Sequence, residues 1–291
     1  MGFRDWVRLI GLSLLWGGSF FFVAVARPGL PVISIVWGRV AIAALVLAAA
    51  LAVTRGAWPR GRAVWGALIG MAVLNNVVPF TLFVVAQGQI SGGMASILNA
   101  TTPLWGVVMA HLFTQDEKIT GAKAAGLALG FAGVVLMMGG ARAADLWASL
   151  ACLGAAFSYG LAGVWGRRFR RLGVAPLATA FGQVACSTLI LLPVWLWLDA
   201  PWALALPEWP VMGAVLGLAV LSTALAYLIY FRLLASAGAT NLSLVTFIIP
   251  VSATLLGVVF LAEPLALRQV AGFGLIAAGL AAIDGRVLRW R

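Results

Sequence analysis

Long apolar stretches separated by short charged clusters set the plan of this chain. Uncharged intervals run from Leu9 to Ala26, Ala63 to Gln115, Ala124 to Ala141, Leu146 to Gly166, Leu172 to Leu198, Trp209 to Phe231 and Leu233 to Ala262. A bilayer core of about 30 Å needs roughly 20 helical residues, so each interval can span one. The 53 residues from Ala63 to Gln115 must form two spans. The stretch Gln87, Gly88, Gln89, Ile90, Ser91, Gly92, Gly93 supplies their break, and Ser236, Ala237, Gly238 supplies another later. The pattern predicts an all-α integral membrane fold of ten helices, near 7–26, 31–53, 63–86, 92–114, 121–140, 146–166, 174–198, 209–233, 240–262 and 267–285.

Composition agrees with this picture. Of 291 residues 63% are hydrophobic and 9% charged, with a mean hydropathy of +1.07, whereas a soluble domain carries about a quarter charged residues. The net charge of +11 would suit nucleic acid were it not sorted by side. Arg4, Arg8, Arg55, Arg60, Arg62, Lys118, Lys123, Arg167, Arg168, Arg170, Arg171, Arg232, Arg286, Arg289 and Arg291 fall on one predicted side, and only Arg27, Arg142 and Arg268 in the loops opposite. The positive-inside rule puts both termini in the cytoplasm of a bacterial-type inner membrane and removes nucleic acid as a partner. Arg4 and Arg8 before an apolar run that ends in Ala24, Val25, Ala26 imitate a signal peptide, but eighteen apolar residues exceed the usual h-region of about 7 to 15. Cys152 and Cys186 fall in predicted helices as small core residues.

An internal repeat is visible. Residues 66–74 read GALIGMAVL and residues 213–221 GAVLGLAVL, six identities in nine, and the same offset carries Pro103 onto Pro250. Glu117, Gly126 and Gly133 match Glu263, Gly272 and Gly279. The halves are expected at 1–143 and 144–291. With five helices each, an odd number, the second half enters the membrane from the opposite side. Inverted halves can exchange conformations and so open a cavity alternately to either side.

The motifs then point to a family. Leu15-Trp16-Gly17-Gly18-Ser19-Phe20, Arg39, the Pro103 segment with Glu117 and Gly126, and their echo at Pro250, Glu263 and Gly272 resemble the EamA-type ten-helix exporters of the drug/metabolite transporter superfamily. Among them the chain most resembles an aromatic amino-acid exporter. The resemblance covers essentially the whole chain and implies a basket of spans one, three, four, six, eight and nine around a central cavity, with spans five and ten as a supporting pair.

Polar and aromatic residues at helical spacing concentrate in those spans. The candidate substrate-binding residues are Trp16, Asn75, Asn76, Phe80, Asn99, Thr102, Trp105, Ser158, Trp165, Tyr227, Tyr230 and Thr246. An amide or hydroxyl unpaired in hydrocarbon is costly, so these groups face each other, as interhelical glue, or a wet cavity. Pro79, Pro103 and Pro250 each remove a backbone donor within a span and are candidate hinges, or kinks made for packing. Gly126, Gly130, Gly133, Gly272 and Gly279 read as close helix contacts, since no phosphate-cradling pattern surrounds them.

Asp5, Asp116, Glu117, Asp145, Asp199, Glu208, Glu263 and Asp284 all lie at predicted helix ends or in loops, and His111 sits near one. No nucleophile-and-base pair, metal constellation or cofactor pattern emerges, which argues against a membrane enzyme. Arg39 is the one basic side chain well inside a span; it either pairs with a carboxylate or carbonyl that orients its helix, or meets a substrate carboxylate. The expectation is a transporter, working as a monomer with no cofactor, that exports small neutral or zwitterionic metabolites such as aromatic or other hydrophobic amino acids. Lipophilic drug efflux is the second transporter reading, and an assembly subunit the alternative outside transport.

Overall fold

The computed structural model describes residues 2–115, 118–138, 143–242 and 244–284. Glu117, Arg142 and the basic residues Arg286, Arg289 and Arg291 lie outside them. The first half holds α1 (Phe3–Ala26), α2 (Val32–Val53), α3 (Arg62–Ala72), a π-helical turn (Val73–Val77), α4 (Val78–Ala86), α5 (Gly92–Asn99), α6 (Thr102–Phe113) and α7 (Gly121–Met138). The second holds α8 (Ala143–Arg171), α9 (Pro176–Leu198), α10 (Trp209–Leu216), a longer π-helical segment (Gly217–Leu225), α11 (Ala226–Leu242), α12 (Val245–Leu261) and α13 (Leu267–Asp284).

Among the described residues seven helical runs are long and apolar enough to cross a membrane, namely Phe3–Ala26, Val32–Val53, Arg62–Ala86, Gly121–Met138, Ala143–Arg171, Pro176–Leu198 and Trp209–Gly238. The outer surface suits lipid: Leu45, Val135 and Leu189 are each about two thirds or more exposed, which water would not tolerate around a whole molecule. The span expected at 92–114 is in fact two helices. Pro103 has no N–H to return to the Asn99 carbonyl, and the chain breaks at Ala100 and Thr101, where the Thr101 hydroxyl donates to Leu98 O at 2.6 Å. The break expected at residues 236–238 is a kink at Gly238, whose φ of 78° only glycine takes up freely.

Packing joins one half to the other. Helix α1 lies on α12 and α8 on α6; α2 pairs with α9, and α7 with α13. Exchanging the halves maps this set of partners onto itself, as two copies of one unit related by a pseudo-twofold would. Helices α7 and α13 approach until backbones touch: a Cβ on Gly126 would stand 2.6 Å from Gly279 O, and one on Gly279 2.5 Å from Gly126 O. Small residues at such a crossing let van der Waals contact replace the hydrophobic drive that lipid lacks.

The structure also reveals a repeat match beyond the one already described. Residues 37–45 (WGRVAIAAL) and 181–189 (FGQVACSTL) align at an offset of 144, making Arg39 and Gln183 counterparts. Packing supports the register. A Cβ on Gly38 would meet Val215 Cγ1 at 3.0 Å and one on Gly182 would meet Leu68 Cδ1 at 2.5 Å, and Val215 and Leu68 are themselves counterparts at the offset of 147.

Candidate functional site

The two π-helical segments occupy equivalent places in the halves, and each has a local cause. In the first, Pro79 cannot donate to the preceding turn, so the helix widens over Val73–Val77 and Leu74 O turns to accept the Ser158 hydroxyl at 2.7 Å. In the second, the Thr223 hydroxyl reaches back five residues to Leu218 O at 2.8 Å and takes a place in the ladder. Widened turns aim side chains away from the regular helical stripe. Here they turn Asn75, Asn76 and Thr223 toward the helices of the other half or the neighbouring span.

Asn75 and Asn76 enter a closed ring of neutral groups. Asn75 Nδ2 donates to Gln183 Oε1 at 2.9 Å and to Tyr227 OH at 3.2 Å. The Tyr227 hydroxyl donates to Asn76 Oδ1 at 3.1 Å, and Asn76 Nδ2 donates to Ser187 Oγ at 3.1 Å. Ser187 closes the ring through Gln183 O at 2.7 Å. Asn76, Gln183 and Ser187 are buried, while Asn75 and Tyr227 are half-buried. Three helical runs, Arg62–Ala86, α9 and Trp209–Gly238, are thereby tied by one network. Every member keeps its partner without a formal charge.

Beside the ring lies the counterpart arrangement. Arg39 Nε donates to Thr223 Oγ1 at 2.9 Å, and its guanidinium carbon stands 3.6 Å from the centroid of the Phe80 ring. Aromatic groups extend from there. Tyr159 stacks on Phe83, Phe83 meets Phe20 edge-on, and Trp16 lies 5.7 Å from Tyr230. Tyr159, Tyr230 and Trp16 are half-buried.

The other candidates lie elsewhere. Thr102 donates to Asn99 Oδ1 at 3.2 Å across the break between α5 and α6. Trp105 packs edge-on between Phe131 and Phe157, its indole nitrogen buried without a partner. Trp165 stands at the wall of a cleft of about 410 Å³ with Ala63, Gly66, Ala67, Arg168, Arg171 and Leu172. Its indole N–H is held by Ala67 O at 2.9 Å and Arg168 covers its ring at 3.5 Å. Thr246 is half-buried on α12. Pro79 follows the first π-turn and Pro103 opens α6, but Pro250 sits inside a helix that continues through it.

Sequence reasoning passed over Gln183, Ser187 and Tyr159. A lone glutamine in the middle of an apolar span is itself a signal, since an unpaired amide there is costly; α9 is a span that the family resemblance leaves out of the basket. Three described acids reach across the halves: Asp5 accepts from the Ser236 hydroxyl at 2.7 Å, Asp199 accepts from Ser34 N at 2.6 Å and the Ser34 hydroxyl at 2.7 Å, and the third is Glu263. Its carboxylate accepts from Gly92 N at 2.9 Å and Gly93 N at 3.2 Å, capping α5 where the helix dipole favours a negative charge. His111 closes the end of α6 as a structural group, with Nδ1 accepting from Ile119 N at 3.1 Å.

Residues 7–139 and again 146–283 match the EamA-like transporter family. An uncharacterized transporter of Archaeoglobus fulgidus is 26% identical over 95% of this chain and 97% of its own length. The uncharacterized inner membrane transporter YedA of Escherichia coli K12 is 26% identical over 88% and 84%, and the protein PecM of Dickeya dadantii 29% identical over 70% and 69%. A protein of known crystal structure superposes with a TM-score of 0.70 at 20% identity over 99% of both chains, a likeness of fold.

Proposed function

Because this chain belongs to the EamA-like transporter family, and so is a multi-pass membrane transporter of small molecules and not an enzyme, we propose that it exports small zwitterionic metabolites, aromatic or other hydrophobic amino acids above all. The inner membrane is its site, crossed ten times by two inverted halves, 1–143 and 144–291, that alternate access. The ring through Gln183, Asn75, Tyr227, Asn76 and Ser187 carries this reading. It offers amide and hydroxyl groups to both charges of a zwitterion, and the adjoining faces of Phe80, Trp16 and Tyr230 offer stacking to an apolar side chain. Asn99, Thr102 and Thr246 line the path to either side and Trp165 stands at the cleft at one end, while Trp105 and Ser158 pack behind it, and Pro79, Pro103 and Pro250 are its hinges. Small size and monomeric action suit a site built wholly within one chain.

Purified protein in liposomes preloaded with an amino acid is expected to exchange labelled phenylalanine, tryptophan or leucine, with lysine and glutamate poor competitors. If no member of an amino-acid panel exchanges above empty liposomes, the substrate reading fails. The topology is tested separately in intact cells. Cys152 and Cys186 are buried and give little background, so a cysteine at Ala203 is expected to react with an impermeant maleimide while one at Gly173 stays silent. The reverse pattern would turn the molecule over.

A further inference from the structure

Arg39 is more than nine-tenths buried, yet only part of its charge is answered by the protein. An arginine does not shed its proton, so a guanidinium inside a membrane stays cationic and needs compensation. Its Nε has Thr223 Oγ1 and its face has Phe80. Both partners are neutral. Among the described residues neither Nη atom has a hydrogen-bond partner and no carboxylate pairs with the group, and the Nη atoms are not among the sealed, unsatisfied polar atoms of the interior. The half-buried phenols of Tyr159 and Tyr227 lie within electrostatic reach of the charge.

The repeat shows that the fold does not ask for this charge. The counterpart of Arg39 is Gln183, and it fills its place as a neutral amide bound to Asn75 from the π-turn beside it. Arg39 makes its one side-chain hydrogen bond through Nε to Thr223, the counterpart of Asn76, which is the next residue along from the Asn75 that binds Gln183. What glutamine lacks is the outer fork of N–H groups and the positive charge, and these are the parts of Arg39 left without a protein partner. A planar fork with two free arms is the complement of a carboxylate, which it takes bidentately. The geometry points to Arg39 as the anchor of a substrate carboxylate, received between the Phe80 ring and the Tyr159 and Tyr227 phenols. Loading the site would neutralise the lone charge.

This inference rests on the amino-acid reading above, and its test separates the two. Binding to purified protein is followed by thermal shift and by competition against phenylalanine exchange, with phenylalanine, 3-phenylpropanoate (acid without amine), phenylalaninamide (amine without acid) and phenethylamine as probes. Wild type is expected to favour the two acids over the two amines that lack a carboxylate by at least about tenfold, the loss expected when a charged hydrogen-bonding group goes unanswered. Arg39→Gln, which places in the first half the residue its repeat already accommodates, is expected to erase that preference. It should weaken both acids and leave the amide's weak binding where it was; Arg39→Lys should keep part of the preference. A merely structural arginine would lower acid and amide in equal proportion. That result, or wild type favouring acid by less than about threefold, overturns the anchor while the amino-acid reading stands. Binding of 3-phenylpropanoate without phenylalanine supports the anchor and removes the amino-acid reading, and failure of all four probes overturns both.

Discussion

Asn75→Leu is expected to destabilise the protein by about 1–3 kcal/mol and to cut exchange more than about tenfold at matched protein levels. Leucine keeps the branched shape but removes the donor for Gln183 Oε1, whose side chain is buried. Gln183→Leu is the milder change. It strands one N–H of Asn75, which is half-buried and keeps its second bond to Tyr227, so a cost under about 1 kcal/mol follows from the smaller desolvation at stake. The double variant should resemble Gln183→Leu rather than the sum, since no orphaned acceptor remains. Thermal unfolding in detergent gives the order, and exchange in liposomes the transport loss. Strictly additive costs, with Gln183→Leu as damaging as Asn75→Leu, would mean that these groups do not act as one ring.

What the sequence alone disclosed follows from which forces are periodic. Spans could be read because a bilayer imposes a length and the charges between spans are excluded from it. That is why α1, α2, α8 and α9 lie close to the stretches expected for them. The widened turns could not, since they come from one missing N–H at Pro79 and one inserted hydroxyl at Thr223 and leave the hydrophobic pattern unchanged. Asn75, Asn76, Phe80, Tyr227, Trp16 and Tyr230 stand out in the sequence as polar or aromatic residues inside spans, and the fold sets them at neighbouring places. Trp105 and Trp165 satisfied the same criterion, yet the first is wedged between phenylalanines and the second is pinned under Arg168. Residue type does not say which way a side chain turns. The match of residues 37–45 with 181–189 was present in the letters, but its offset of 144 differs from the 147 of the neighbouring helices by three residues. A search at one fixed offset passes over it, and with it the pairing of Arg39 with Gln183.

The groups at the centre also bear on the driving force. Asparagine, glutamine, serine and threonine do not titrate, a phenol does not ordinarily ionise near neutrality, and arginine keeps its proton. Among the described acids the three that link the halves are all taken up by protein donors, Glu263 at the N-terminus of α5, Asp199 by the Ser34 N–H and hydroxyl, and Asp5 by the Ser236 hydroxyl. Uptake into empty liposomes down a gradient of an aromatic amino acid is therefore expected to proceed with no imposed pH difference. Within that assay the aromatic wall should matter more than the clasp. Trp16→Ala or Tyr230→Ala removes a face worth about 0.5–2 kcal/mol to a ring or an ammonium, roughly twofold to thirtyfold in rate. Glu263→Gln retains one acceptor for Gly92 or Gly93 and sets a donor against the other N–H, so it should lower the melting temperature while leaving uptake independent of pH gradient. Initial rates for the three variants at matched protein levels, with and without a gradient, decide the matter. Uptake that requires a gradient, is lost in Glu263→Gln and is normal in both alanine variants would make the cap on α5 a proton-operated latch and move the coupling from the aromatic centre to the end of the bundle.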